Sequence, residues 1–351
     1  MKLSKLLSAI LVLGIINCSP KFDETDFNSG NEHLQRKEYQ AAIADYNQAI
    51  KINPKLAKAY NNRGYAYYEL KEYQAAITDY SKAIQLDSKL AIAYYNRGLA
   101  YALSGNKQEA IADYTKAIKI NPKLIAVYYS RGVVWNESEE YQAAIGDFNK
   151  AIKINPNYVD AYYSRGFAWQ KLKDYQEAIT DFNRAIQINP NYTAAYHNRG
   201  VARYWLKDYQ GAIADYNQYI GSMPNDAVAY FNRGITHNQL KNYQQAIADF
   251  NKAININPND ANSYYKRGYT RHLLKDYQAA ITDYTKAIQI NPYHAQAYNN
   301  RGNSRIFLGD KQEGITDLRI AAELFKKQGQ EAEAKRVLLE IERQSMAIAV
   351  K

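Results

Sequence analysis

Eight arginines, Arg63, Arg97, Arg131, Arg165, Arg199, Arg233, Arg267 and Arg301, each stand sixteen residues ahead of an aspartate, from Asp79 to Asp317. A guanidinium can bind a carboxylate through two parallel hydrogen bonds while its stem packs, so this spacing predicts a ladder of buried or half-buried ion pairs, Arg165 with Asp181 among them. Turned outward, the same arginines would instead form a row of anion-binding groups. The histidines form no such pattern. His33 and His237 recur at a position that elsewhere holds Tyr67, Tyr101, Trp135 and Trp169, which marks it as a packing position. His197, His272 and His294 fall at unrelated positions. The sequence contains no metal-ligand spacing, no nucleophile beside a base and no glycine-rich phosphate loop. It reads as a protein that is not an enzyme and uses no cofactor.

The elements that position these groups repeat. Gly30, Gly64, Gly98, Gly132, Gly166, Gly200, Gly234, Gly268 and Gly302 are spaced by 34 residues, which defines nine units over residues 23–328 with no linker between them. A constant period of this size is the signature of a stacked array, so one continuous elongated domain is expected. Within a unit, apolar residues recur every three or four positions in two blocks, such as Ala161 to Leu172 and Tyr175 to Ile188, the period of two amphipathic helices. Asn189-Pro190 ends the second block, because proline lacks an amide donor and drives the preceding residue out of the helical region.

Tyr162, Gly166, Ala178, Phe182, Ala185 and Pro190, with their equivalents in the other units, resemble the tetratricopeptide repeat. That resemblance implies an all-α fold. It would be an α-solenoid, a right-handed superhelix of antiparallel helix pairs whose first helices line a concave groove. Residues 329–351 follow as a C-terminal capping helix and tail, with Val337, Leu338 and Ile341 on the apolar side. Repeat six, where Tyr219 replaces a small alanine, is expected to alter the local curvature as far as Asp226. Gly105 and Gly309 are expected to loosen two turns.

If the first helices line a groove, two rows face it. Three residues before each glycine stand Tyr95, Tyr129, Tyr163, His197, Phe231 and Tyr265. One residue further on stand Asn96, Asn198, Asn232 and other short polar residues, while Trp205 and Tyr269 follow their glycines on the same helices. Rings beside carboxamides suit an extended peptide, covering its apolar side chains and pairing its backbone. A protein-interaction scaffold or adaptor binding a peptide or protein partner is the expected function. The alternative is a basic solenoid binding an anionic polymer such as nucleic acid or an envelope glycan. Lysine plus arginine exceed aspartate plus glutamate by 45 to 35, a mild excess compatible with anionic partners but short of the dense basic patch that would argue nucleic acid on its own, so nucleic acid is not the expected partner.

Residues 1–17 carry a basic start and an apolar run from Leu6 to Ile16, the pattern of a signal peptide. Ile15-Ile16-Asn17-Cys18 resembles a bacterial lipobox, in which Cys18 would be the lipidated residue and 18–22 a short tether. That resemblance implies a membrane-anchored lipoprotein of the bacterial cell envelope, the alternative being a secreted or periplasmic protein. The sequence leaves the oligomeric state open.

Overall fold

The computed structural model describes residues 25–349; the leader, Cys18 and the tether lie outside them. Among the described residues the regular elements are nineteen α-helices, with no strand. They run in pairs: α1 (Thr25–Gln35) and α2 (Tyr39–Ile52), α3 (Ala57–Glu69) and α4 (Tyr73–Leu86), α5 (Ala91–Leu103) and α6 (Lys107–Ile120), α7 (Ile125–Glu137) and α8 (Tyr141–Ile154), α9 (Val159–Lys171) and α10 (Tyr175–Ile188). There follow α11 (Thr193–Trp205) and α12 (Tyr209–Ser222), α13 (Ala227–Gln239) and α14 (Tyr243–Ile256), α15 (Ala261–Leu273) and α16 (Tyr277–Ile290), α17 (Ala295–Leu308) and α18 (Lys311–Lys327), and finally α19 (Glu331–Ala349).

The chain divides into two compact units, one ending at Asn189 and the other beginning at Pro190. The boundary falls at a junction between repeats. In a stacked array each pair packs on its sequence neighbours alone, so any such junction can separate two cores. Unit 1 holds α1 to α10, and unit 2 holds α11 to α19.

Each pair closes on small residues. Ala76, Ala110, Ala144, Ala178, Ala212, Ala246 and Ala280 are wholly buried where the second helix meets the first. The glycines allow the same approach from the other side: a methyl built on Gly98 would lie 2.6 Å from Cε1 of Tyr114. Tyr114 is itself fully buried.

The turn inside each pair has one form throughout. Lys71 takes φ 64 and Lys173 φ 66, both in the left-handed region. The amide of Lys71 donates to the carbonyl of Tyr68 at 2.9 Å and that of Glu72 to the carbonyl of Tyr67 at 2.9 Å, which satisfies the last carbonyls of α3. Gly105 (φ 87) and Gly309 (φ 98) occupy the same position. They do not loosen their turns. A left-handed residue is required there, glycine adopts it without strain, and the lysines are the residues that carry the cost.

The second helices end in an Asx turn, where the Oδ1 of Asn53 accepts from the amide of Lys55 at 3.1 Å and that of Asn121 from Lys123 at 3.1 Å. Repeat six uses another device. Met223 replaces the asparagine, and the Tyr219 hydroxyl donates at 2.6 Å to Asp226, whose other oxygen accepts from the amides of Val228 and Ala229. The ring changes the cap and leaves α12 at 14 residues, the length of its counterparts α10 and α14.

Candidate functional site

The arginine ladder forms, and it faces inward. Arg165 Nε donates to Asp181 Oδ2 at 2.8 Å and Nη2 to Oδ1 at 2.5 Å. Arg63 reaches Asp79, Arg97 reaches Asp113, and Arg301 reaches Asp317 with the same bidentate geometry. The third nitrogen points back to the preceding repeat, where Arg63 Nη1 donates to Asn47, Arg97 Nη1 to Ser81 and Arg131 Nη1 to Thr115. Seven of the eight guanidinium groups, all but that of Arg131, also lie over the tyrosine three residues before them, Arg63 at 5.5 Å from the Tyr60 ring centre. One arginine therefore ties its own helix pair and the previous one. The Asp79, Asp113 and Asp249 carboxylates hold Arg63, Arg97 and Arg233 above the usual guanidinium range. The outward-facing alternative is overturned, because these charges are already spent on aspartates.

Repeat one lacks the arginine, and Nδ1 of His33 pairs with Asp45 at 2.7 Å in its place. In unit 2 a second arginine joins three rungs. Arg203 reaches Asp215, Arg271 reaches Asp283 and Arg305 reaches Asp317, at 2.9, 2.8 and 2.8 Å.

The ring row behaves differently in the two units. In unit 1, Tyr95 is 1% exposed, Tyr129 0% and Tyr163 5%. Tyr95 packs on Tyr114, Tyr129 on Phe148 and Tyr163 on Phe182, with ring centres 6.0, 5.9 and 5.9 Å apart. Burial pushes the Tyr95 hydroxyl up to about 12. The expectation that these three rings face a partner is corrected: each fills the seam between its own two helices. Asn96 is buried as well. In unit 2, His197, Asn198, Phe231, Asn232 and Tyr265 are half-buried, and Tyr269 is 39% exposed.

The rings and amides also bond to each other, which the two rows do not reveal when each is read alone. A residue of the ring row meets the polar residue 35 positions later, on the next first helix. Asn96 Nδ2 donates to Asn61 Oδ1 at 3.2 Å, Tyr95 and Ser130 hydroxyls are 3.5 Å apart, Asn232 Nδ2 is 3.2 Å from His197 Nε2, and Asn300 Nδ2 donates to the Tyr265 hydroxyl at 3.3 Å. Much of the amide row is thus engaged in stacking repeats.

Phe231 and Lys266 break this ladder. Phe231 has no polar atom, and the residue 35 positions on is Lys266. That ammonium is half-buried and lies 5.4 Å from the Tyr265 ring centre. It makes no ion pair among the described residues. Burial lowers its pKa.

Tyr265 also lines a cavity of about 430 Å³, together with Gln296, Asn299, Asn300, Phe325, Gln330, Glu333 and Arg336. Its far wall is α19, the capping helix. Arg336 stands 34 residues after Gly302, so α19 occupies the place of a tenth first helix and carries Glu333 in the ring row. Ala334, Val337 and Ile341 bury its other face. Sequence reasoning missed Gln296, Glu333 and Arg336; extending the 34-residue count past Gly302 would have found the last two.

Family profiles described as the TPR repeat match residues 30–71, 64–105 and 136–173, and those of the tetratricopeptide repeat match 91–124, 159–192, 227–260 and 261–294. The chain belongs to the tetratricopeptide repeat family. Membership supports a protein-interaction scaffold, and proteins of this family are in general scaffolds rather than enzymes. Among solved structures, a tetratricopeptide repeat protein from Parabacteroides merdae is 22% identical with a TM-score of 0.52, the match covering 71% of this chain and 98% of that one. The Cut9–Hcn1 complex of the APC/C matches at 17% identity and a TM-score of 0.50, covering 80% and 56%. Both likenesses show the fold, an α-solenoid. YrrB, described as a TPR protein with an unusual peptide-binding site, is 25% identical with a TM-score of 0.48 over 52% of this chain and 95% of that one. No curated protein matches the chain.

Of the residues expected at the tetratricopeptide groove, Trp205 is the most exposed. It ends α11, is 59% exposed and meets the Tyr204 ring edge-on at 5.8 Å. No group of three or more histidine, cysteine, aspartate or glutamate side chains able to hold a metal occurs among the described residues.

Proposed function

We propose that the protein is an adaptor of the bacterial cell envelope that binds an extended peptide segment of a partner on the first-helix face of unit 2. The observation that carries this reading is the half-buried Lys266, which lies against the Tyr265 ring and has no carboxylate partner among the described residues, while Tyr265 in turn lines a polar cavity with amides, Glu333 and Arg336. Holding an unpaired cation partly out of water costs free energy that an acidic group of a ligand recovers. Phe231, Tyr265 and Tyr269 offer the apolar contact, and Gln296 and Asn299 offer carboxamides to a peptide backbone. On the equivalent face of unit 1 the row's tyrosines, Tyr95, Tyr129 and Tyr163, are buried.

The envelope location rests on residues 1–18, a basic start, an apolar run and a lipobox-like Ile15-Ile16-Asn17-Cys18. Lipidation at Cys18 would tether the repeats to a membrane. Among the described residues, no helix is long and apolar enough to cross one. Crosslinking pull-downs from membranes of the native host test the reading. A partner is expected with the wild type and lost with Phe231→Ala and with Lys266→Glu; an unchanged partner set with both variants would remove the site.

A further inference from the structure

In unit 2 the residue eight positions before each repeat glycine caps its first helix: Tyr192 at α11, Asp226 at α13, Asp260 at α15 and His294 at α17. Asp226 accepts from the amides of Val228 and Ala229, and Asp260 from those of Asn262 and Ser263. His294 caps through Nδ1, which accepts from the Ala297 amide at 3.3 Å. The amide row changes with the cap. Asn198 stands 28 residues before Asp226 and Asn232 stands 28 before Asp260, whereas Lys266 stands 28 before His294. Of these three junctions, the one that gains an ammonium is the one that loses the carboxylate.

Both new groups rest on the same ring. Lys266 Nζ is 5.4 Å and the His294 ring centre 4.7 Å from the centre of the Tyr265 ring. The cap fixes the histidine tautomer: with Nδ1 accepting, the neutral imidazole carries its proton on Nε2 and is a donor there. His294 is 9% exposed, and its Nε2 is buried without a hydrogen-bond partner among the described residues. Burial lowers the His294 pKa and the Lys266 charge lowers it further, which keeps the ring neutral at neutral pH. A buried N–H without an acceptor and a half-buried ammonium without a counter-ion each cost free energy. One anion beside Tyr265 satisfies both.

We propose that Lys266 and His294 together bind one carboxylate, the ammonium supplying the charge to one oxygen and the His294 Nε2–H a directed hydrogen bond to the other. A carboxylate brings two oxygens and one negative charge, which matches one cation and one neutral donor. A phosphate dianion would leave an oxygen and a charge unmatched. Nε2 is buried in the free chain, so the ligand reaches it only as neighbouring side chains shift, and the half-exposed ammonium is met first. The inference rests on the peptide reading of the unit 2 first-helix face for the source of the carboxylate. A segment bound in extended form presents an aspartate or glutamate side chain there; the other source of the same group is the C-terminus of the segment.

The test needs no identified partner. The full chain, carrying isotope-labelled histidine, is titrated in the NMR spectrometer with propionate, and with propionamide and inorganic phosphate at matched ionic strength. The His294 Nε2–H signal, assigned by its loss in His294→Asp, should shift with propionate and not with propionamide, and phosphate should bind roughly tenfold more weakly. Lys266→Asn should abolish the shift while the His294 signal remains. His294→Asp supplies Lys266 with a carboxylate from within the chain, so propionate binding read by calorimetry should be lost. Both variants place a residue that the chain itself uses at equivalent positions, Asn232 for one and Asp260 for the other, which keeps the fold and the cap. N-acetylglutamate amide, with a side-chain carboxylate, should bind more tightly than N-acetylglutamine, with a terminal one; the reverse order would overturn the side-chain assignment. A His294 signal unmoved by propionate, moved equally by propionamide, or still moved in Lys266→Asn would overturn the proposal. The peptide reading fails separately. A partner lost with Lys266→Glu and kept with His294→Asp would remove the shared carboxylate and leave the peptide site, whereas a propionate shift alongside an unchanged partner set in Lys266→Glu would uphold the pair and remove the peptide.

Discussion

Arg165 and Asp181, sixteen residues apart on α9 and α10, are joined by two hydrogen bonds of 2.8 and 2.5 Å, and the same guanidinium bonds Asn149 of the preceding repeat. This arrangement makes one side chain both the tie within a repeat and the tie between repeats. Asp181 is 4% exposed at its side chain and Arg165 20%. Removing Asp181 leaves a buried guanidinium without its carboxylate, so Asp181→Ala is expected to cost about 3 kcal/mol, more than Arg165→Ala restores when combined with it. A double-mutant cycle in urea measures the coupling; a value near zero would mean the ladder is decorative.

Glycine substitutions separate packing from conformational freedom. A methyl at Gly98 meets the Tyr114 ring at 2.6 Å, whereas one at Gly146 or Gly221 meets nothing within 4 Å. Gly98→Ala is expected to destabilise by about 1 to 3 kcal/mol. Gly146→Ala, in the middle of α8, is expected to stabilise by about 0.5 to 1 kcal/mol. Thermal unfolding of the two variants should move in opposite directions.

The left-handed turns give a third prediction. Lys173 has φ 66 where Gly105 has φ 87 in the equivalent turn. Lys173→Gly relieves about 1 kcal/mol of backbone strain, and Gly105→Lys introduces a similar cost. Equal melting temperatures for both variants and the parent would refute the account of these turns.

Acid should loosen unit 2. Burial lowers the pKa of His197, His237, His272 and His294 below 6.5. In each case the folded chain favours the neutral ring, so protons bind the unfolded chain first as the pH falls. The stability these groups contribute is present above pH 6.5 and is lost as pH drops through the lowered folded values. All four lie in unit 2, and hydrogen exchange between about pH 7.5 and pH 5.5, corrected for intrinsic rates, should show protection lost there. Unchanged protection in α11 to α17 would contradict the burial argument.

The helix pairs, their turns and the Arg–Asp ladder were legible in the sequence because each is local: partners sixteen residues apart lie on the two helices of one pair. The state of the ring row was not. Whether Tyr129 is covered depends on Phe148 and on Tyr158, whose ring centre is 5.1 Å away, and similar tyrosines in unit 2 remain half-open. Side-chain type alone cannot distinguish those outcomes. Lys266 carried a signal, a lysine where the eight other repeats have asparagine or serine, yet its meaning required seeing that Phe231 offers it no bond. The capping helix was expected from its amphipathic pattern. Its role as a cavity wall came from Glu333 and Arg336 continuing the first-helix register, which the loss of the glycine at position 336 conceals.

The central claim is that unit 2 receives the partner on its first-helix face. A photoreactive benzoylphenylalanine in place of Tyr269, 39% exposed on α15, tests it against the same probe in place of Lys252, exposed on α14. The account predicts a crosslinked partner from position 269 that disappears when Lys266→Glu is added, and none from position 252. Crosslinking from 252 alone, or from 269 with undiminished yield in the Lys266→Glu background, would contradict it.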